Sequence, residues 1–263
     1  MKTVTGASRR ALLVDVTRCT GCERCVQACV DANGLDPTAA DRDGAVAPGG
    51  LSADRLCTIV SLEDDAWARK SCMHCLEPSC VAACLVGGLS VTPEGAVIYD
   101  REKCIGCRYC MLACPMHVPR YEWDERFPYM RKCSLCHDLV LEGQLPACVE
   151  ACPHDALAFG PREEMLHTAW RRVRAEPDRY LDHVWGEHEW GGTSVLYVSD
   201  VDLAPLGLDR GTTHSVPSIT DPVIHATPKI AVSVAAVMTG LSWIVARRQR
   251  LMAETDEGGE DRE

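Results

Sequence analysis

Phenylalanine is nearly missing from this 263-residue chain: it occurs twice, and aromatic residues make up only 5% of the whole. That argues against a core of interlocked rings, although apolar residues at 46% suffice for a packed fold. Positive charge is short too, with 27 Lys and Arg against 38 Asp and Glu and a formal net charge of −11. A nucleic-acid-binding surface needs the opposite balance; the acidity points to solubility and charge-selected protein partners. A secretory leader is also missing. Ser8-Arg9-Arg10 is basic, but the apolar stretch behind it runs only from Ala11 to Val14 before Asp15 interrupts it. An apolar leader region spans roughly 7–15 residues, and the same shortness weakens a twin-arginine reading of Arg9-Arg10. Neither a nucleophile–base set nor a phosphate-cradling loop is recognisable. The chain is therefore expected to make and break no substrate bonds itself.

Cysteine is what the chain has in excess. Sixteen of seventeen fall into four runs: Cys19-Cys22-Cys25-Cys29, Cys72-Cys75-Cys80-Cys84, Cys104-Cys107-Cys110-Cys114 and Cys133-Cys136-Cys148-Cys152. Pro115 follows the third run and Pro153 the fourth. The pattern C-x-x-C-x-x-C-x-x-x-C-P is a ligand run for a cubane iron–sulfur cluster, which needs four soft thiolates. Motif three matches it without a gap, and motif one lacks only the proline. Motif two has two extra residues between Cys75 and Cys80, and Leu85 where proline is expected. Motif four opens the gap between Cys136 and Cys148 to eleven residues, with Leu139–Leu145 looped out. Paired cysteines at that separation also suit zinc, the competing reading at motif four. A disulfide scaffold fits poorly, because such chains are short and their spacings vary. All four runs keep four cysteines, so four [4Fe-4S] clusters are expected, with the fourth Cys of each run starting a helix. Metal binding then supplies part of the folding free energy.

The remaining chemistry-bearing residues have quieter readings. Cys57 stands alone in an apolar run and reads as a small buried hydrophobe. His74, His117, His137 and His154 flank motifs whose thiolates are already complete, so they tune sulfur or pack. Tyr109 and Trp123 read as packing residues near electron paths, and Arg108 and Lys132 as cations that lower the cost of cluster charge.

Between the motifs, Ala11–Val16 reads as a strand, Asn33–Gly50 as a loop and Leu56–Leu62 as a strand. Gly88–Asp100, with Pro93-Glu94-Gly95 at its centre, carries a hairpin signature. Glu163–Arg174 has Leu166, Trp170 and Val173 at helical spacing after Pro161, predicting a surface helix that ends before Pro177. Val195–Val198 reads as a strand. Ile230 to Ala246 is a 17-residue run without charge, flanked by Lys229 and Arg247. It predicts a transmembrane helix at the short end of the spanning range. Ser233, Ala236 and Gly240 on it permit close packing against another membrane helix. Arg247, Arg248 and Arg250 place the C-terminus in the cytoplasm by the positive-inside rule. The cluster domain is then expected on the periplasmic side of the cell membrane, exported while bound to a partner that carries the signal.

With these motifs on the page, the chain resembles the four-cluster ferredoxin-type electron-transfer subunits of respiratory oxidoreductases. These include the iron–sulfur subunits of membrane-bound nickel–iron hydrogenases, formate dehydrogenase beta subunits and the subunits of dimethyl sulfoxide reductase-type enzymes. The resemblance covers about residues 11–205. It rests on Cys72-Met-His-Cys75-Leu-Glu-Pro-Ser-Cys80, Cys104-Ile-Gly-Cys107-Arg-Tyr-Cys110 and Lys132-Cys133-Ser-Leu-Cys136. The stretch from Trp185 to Tyr197 resembles the hydrogenase-associated type most. The C-terminal anchor is shared by the hydrogenase and formate dehydrogenase types and counts against the dimethyl sulfoxide reductase branch.

The resemblance implies an α+β fold of two bacterial-ferredoxin-like dicluster modules, motifs one with four and two with three, plus a single C-terminal transmembrane helix. It implies one cluster on Cys19, Cys22, Cys25 and Cys152, and its neighbour on Cys133, Cys136, Cys148 and Cys29. A third falls to Cys72, Cys75, Cys80 and Cys114, and the fourth to Cys104, Cys107, Cys110 and Cys84. The expected domains are a cluster domain over 1–225, with 11–55 and 126–205 interleaved around 56–125; an anchor over 226–250; and an acidic disordered tail over 251–263. The implied function is electron relay between a catalytic subunit and a membrane cytochrome b or quinone-reactive subunit. That catalytic partner is a nickel–iron hydrogenase by preference and a molybdopterin formate dehydrogenase as the alternative. A free-standing membrane-tethered polyferredoxin is the remaining reading. Membrane lipid is an expected contact; nucleic acid is not.

Overall fold

The computed structural model describes residues 9–36, 50–123, 125–211 and 213–260. The expected loop Asn33–Gly50 lies mostly outside them, at 37–49. The chain divides into two compact units, Met1–Pro217 and Ser218–Glu263.

The first unit is built on a three-stranded sheet. Strand β1 (Arg10–Asp15) lies between β8 (Leu157–Pro161) and β9 (Val195–Val198). It runs antiparallel to β8, with Leu12 opposite Phe159, and parallel to β9, with Leu13 opposite Leu196. Alternate residues of a strand face opposite sides, and β1 uses both. Ala11 and Leu13 pack with Leu196 and Val198 against Ala169 and Val173 of helix α6 (Arg162–Ala175). Leu12 and Val14 pack on the other side, in a cluster with Cys25, Cys29, Cys57, Cys72, Cys133 and Cys148. Cysteines thus share this core with Trp185 and Tyr197, the largest fully buried side chains. Glu163 and Glu164 in the first turn of α6, and Arg172 and Arg174 in its last, complement the helix dipole.

Buried Asp15 ties this sheet to its surroundings. It accepts hydrogen bonds from Tyr180 Oη at 3.0 Å and Thr17 Oγ1 at 2.8 Å, and pairs with Arg172 at 2.8 Å. Three two-stranded ribbons complete the unit. They are β2 (Thr58–Ser61) with β3 (Trp67–Lys70), β4 (Leu89–Val91) with β5 (Val97–Tyr99), and β6 (Arg120–Tyr121) with β7 (Met130–Arg131). The β4–β5 hairpin turns at Thr92–Gly95, where the Gly95 N–H donates to Thr92 O at 3.0 Å.

Four short helices accompany the motifs: α1 (Arg24–Asn33), α2 (Ser79–Ala82), α3 (Tyr109–Ala113) and α5 (Ala147–Glu150). Each holds the third cysteine of its run in the first two positions, so the fourth does not start a helix as expected. Cys29 lies in the middle of α1, Cys114 caps α3, and Cys84 and Cys152 lie just beyond α2 and α5. The segment expected to loop out of motif four also holds a turn of helix, α4 (His137–Leu141), closed by Gly143 at φ +79°.

The second unit is helix. Helix α7 (Val216–Glu260) begins before and ends after the expected 226–250 segment. Extension is cheap once a long helix is nucleated, and Ala253, Glu254 and Glu257 are good helix formers. Within Val216–Met252 an 18-residue window has a mean hydropathy of 1.7, and the stretch is long and apolar enough to cross a membrane. Pro222 and Pro228 lie inside the helix and remove backbone donors. Beside Pro228, Thr227 Oγ1 bonds back along the helix, donating to Val223 O at 2.7 Å.

Candidate iron–sulfur cluster sites

Motifs one and three share a backbone device. Gly21 and Gly106 both sit at φ +71°, followed two residues on by Glu23 at +57° and Arg108 at +64°. In motif two His74, at +47°, and in motif four Leu135 and Cys136, at +60° and +47°, adopt the same region. Non-glycine residues rarely adopt positive φ, and such strain concentrates at functional loops. Here it curls the backbone around its own sulfurs and aims N–H groups at them. Gly106 N–H donates to Cys104 Sγ at 3.4 Å, Leu135 N–H to Cys133 Sγ at 3.4 Å and Gly88 N–H to Cys84 Sγ at 3.2 Å.

The curled loops bring distant runs together. One cavity is lined by Cys19, Cys22, Cys25 and Cys152, with Val14, Ile59 and Leu157 among its apolar walls. A second is lined by Cys133, Cys136, Cys148 and Cys29, walled by Leu12, Leu135 and Pro146. Helices α1 and α5 pack side by side, and the third and fourth cysteines of their runs stand four residues apart. Four residues advance a helix by ~6 Å, so one helix reaches both cavities.

Motifs two and three also come together. Burial raises the thiol pKa of Cys75 far above its ordinary value, with further contributions from Cys72, Cys114 and Cys80. Burial likewise pushes Cys80 up to about 12, with Cys72 and Cys114 adding to it. These four therefore share one neighbourhood. Cys110 is raised by burial, with smaller contributions from Cys104 and Cys107. Cys84 packs in the same apolar cluster as Cys110, and the Gly88 that donates to it lies against the backbone of Cys104.

The donors suit a cubane cluster: four soft sulfurs per site, apolar walls and backbone N–H groups directed at sulfur. The electrostatics agree. Burial pushes the thiols of Cys25 and Cys148 up to about 12, so thiolates are held there only when a cation neutralises them. Loading then releases protons. Among the described residues no three His, Cys, Asp or Glu side chains converge on the position of a single ion.

The flanking residues divide. His74 is fully buried and accepts a hydrogen bond from the Val97 N–H at 2.9 Å through Nδ1. Burial, then Lys132 and Arg69, lower its pKa well below the ordinary value, so it is neutral. His137 comes within 4.0 Å of Glu94, and His117 and His154 are exposed. Lys132 is buried and donates to Val97 O and, at 2.9 Å, to Cys133 O. Its charge favours the thiolates of Cys72, Cys80 and Cys114. Arg108 instead stacks over Trp123, 4.3 Å from the ring centroid. Tyr109 is half exposed. Cys57 is buried and its thiol approaches Cys25 O at 3.7 Å.

Two polar residues escape the motif spacing. Tyr121 Oη lies 3.7 Å from Cys110 Sγ. Arg69 is buried and lines both cavities of motifs one and four. Only its place two residues before Ser71-Cys72, on the four-residue strand β3, offers a signal.

Residues 65–162 match the family described as a 4Fe-4S dicluster domain. The chain is 33% identical over 291 residues to the hydrogenase-2 operon protein HybA of Escherichia coli O157:H7, covering 96% of this chain and 88% of that protein. It is 37% identical over 199 residues to the formate dehydrogenase-O iron-sulfur subunit of Escherichia coli K12, covering 72% and 66%. Over 160 residues it is 38% identical to the B subunit of the anaerobic dimethyl sulfoxide reductase of the same strain, covering 58% and 73%.

Proposed function

The chain belongs to the 4Fe-4S dicluster iron–sulfur subunits of respiratory oxidoreductases, and from that premise we propose that it relays electrons through four [4Fe-4S] clusters. The observation that carries this reading is that two cavities are each lined by three cysteines of one run and one of another, Cys19, Cys22, Cys25 with Cys152 and Cys133, Cys136, Cys148 with Cys29, beside the packed helices α1 and α5. When bound, the clusters supply one-electron chemistry; the chain supplies their spacing, burial and hydrogen bonding. Cys22 of the motif-one and motif-four pair and Cys107 of the motif-two and motif-three pair are exposed. They give the proposed wire one accessible sulfur in each module, where electrons enter and leave.

One end serves a catalytic subunit and the other a membrane cytochrome b or quinone-reactive subunit. A nickel–iron hydrogenase is the proposed catalytic partner, supported by the 88% coverage of the hydrogenase-2 operon relative. A molybdenum or tungsten formate dehydrogenase is the second reading, supported by 37% identity to a formate dehydrogenase iron-sulfur subunit. Helix α7 anchors the chain, with Arg247, Arg248 and Arg250 on the cytoplasmic side and the cluster unit across the membrane. The test is to purify the complex from membranes, measure nickel, molybdenum and tungsten, and add hydrogen or formate. Bleaching of the iron–sulfur absorbance by hydrogen, with nickel in the partner, is the expected result. Bleaching by formate alone favours the second reading. A monomer without a catalytic partner contradicts both.

A further inference from the structure

We propose that Arg69 is a shared counter-cation for the two cluster sites of motifs one and four, raising both reduction potentials and easing electron passage between them. The inference rests on the reading that both cavities hold clusters. Arg69 lies on β3 opposite Ile59 and is 2% exposed. It lines the cavity of Cys19, Cys22, Cys25 and Cys152 and that of Cys133, Cys136, Cys148 and Cys29, and so stands between them.

A buried guanidinium is costly unless paired, and the partners of Arg69 are a hydroxyl and sulfur, the buried Cys57 among them. Its Nη1 donates to Ser71 Oγ at 2.6 Å, and its buried Nε has no hydrogen-bond partner. Among the described residues no carboxylate forms an ion pair with it, unlike Arg172, which has Asp15 at 2.8 Å. The anions around it are sulfur. Burial opposes its charge, yet the thiolates of Cys148, Cys57, Cys133 and Cys25 outweigh that and raise its pKa. The backbone behind it is fixed, since Tyr197 Oη donates to Arg69 O at 2.7 Å. The side chain is thus held in place with its charge directed at thiolates.

Reduction adds an electron to a cluster that already carries negative charge, and a fixed neighbouring cation favours the reduced form. Charge and hydrogen bonding near sulfur set such potentials. One cation between two sites moves both potentials together. It also lowers the repulsion that a reduced cluster exerts on its neighbour.

The experiment is a redox titration of the purified full complex followed by electron paramagnetic resonance, with Arg69→Met and Arg69→Lys beside the unaltered chain. Met keeps the length without charge; Lys keeps the charge without the fork. In R69M two of the four potentials are expected to fall by a tenfold or larger shift in the reduction equilibrium, ~59 mV for one electron. The other two stay, and R69K lies near the unaltered values. If R69M fails to assemble two clusters that R69K does assemble, the same role is supported. Unchanged potentials in R69M with full iron content, or equal damage in both variants, overturn the proposal. Iron analysis of the unaltered complex separates this failure from that of the underlying reading: without clusters in the unaltered chain, the relay itself is wrong.

Discussion

At the scale of single residues, the partners that matter most stand far apart in sequence. Cys152 lines a cavity with Cys19, Cys22 and Cys25, and Cys29 lines one with Cys133, Cys136 and Cys148. Cys152→Ser and Cys22→Ser should therefore abolish the same paramagnetic signal. Cys29→Ser and Cys136→Ser should abolish a different one, each loss costing about four irons. Loss of one common signal from Cys152→Ser and Cys136→Ser would instead mean that each run keeps its own cluster. The glycines of the loops offer a second comparison. A Cβ on Gly21 meets Trp67 Cδ2 at 2.8 Å, whereas one on Gly106 meets nothing within 4 Å; both residues sit at φ +71°. Gly21→Ala should cost strain plus a clash, about 2–3 kcal/mol, and Gly106→Ala strain alone, about 1 kcal/mol. Thermal unfolding of the loaded chain measures the difference, and equal losses would show that the Trp67 contact yields freely.

At the scale of elements, β1 explains how a chain with few aromatic residues builds a core. One face meets α6 and the other meets the cysteines. Leu13 is fully buried on the α6 face, so Leu13→Ala should destabilise the unit by about 2–5 kcal/mol while leaving the iron content of the folded chain unchanged. Denaturant unfolding with iron analysis tests both halves. Helix α7 carries a separate prediction. Val237→Arg places a charge in its apolar stretch at a cost of about 2.5–3.5 kcal/mol. Alkaline extraction should then release a chain that otherwise stays with the membrane; equal retention of both would argue against α7 as the anchor.

The elements are legible in the sequence where local pattern decides them: β1, the β4–β5 hairpin, α6 and β9 all occupy their expected segments within one or two residues. The motif helices begin at the third cysteine rather than the fourth, because ligand spacing names the sulfurs and not the backbone that carries them. The C-terminal helix outruns its expected segment because charge marks where apolar residues end, not where hydrogen bonding stops. Arg69 is hidden from sequence reading for another reason. Its meaning comes from two cavities assembled from runs more than a hundred residues apart, and no local period records that.

At the scale of the whole molecule, family membership establishes an iron–sulfur electron-transfer subunit. The geometry supports the finer claim that this chain is a four-cluster wire tethered at one end. Its sixteen run cysteines leave only Cys57 outside the proposed sites. Helix α7 is the candidate anchor, and the sulfurs of Cys22 and Cys107 are exposed, one in each proposed module. Side of the membrane is open to a direct check: in intact spheroplasts the cluster unit should be cleaved by added protease, and protection would place it in the cytoplasm. The most direct test of the central claim is the iron and acid-labile sulfide content of the full-length chain purified without oxygen. Four cubane clusters predict about sixteen irons and about sixteen sulfides per chain, with no zinc. About eight irons, or zinc in place of part of the iron, would contradict the four-cluster wire.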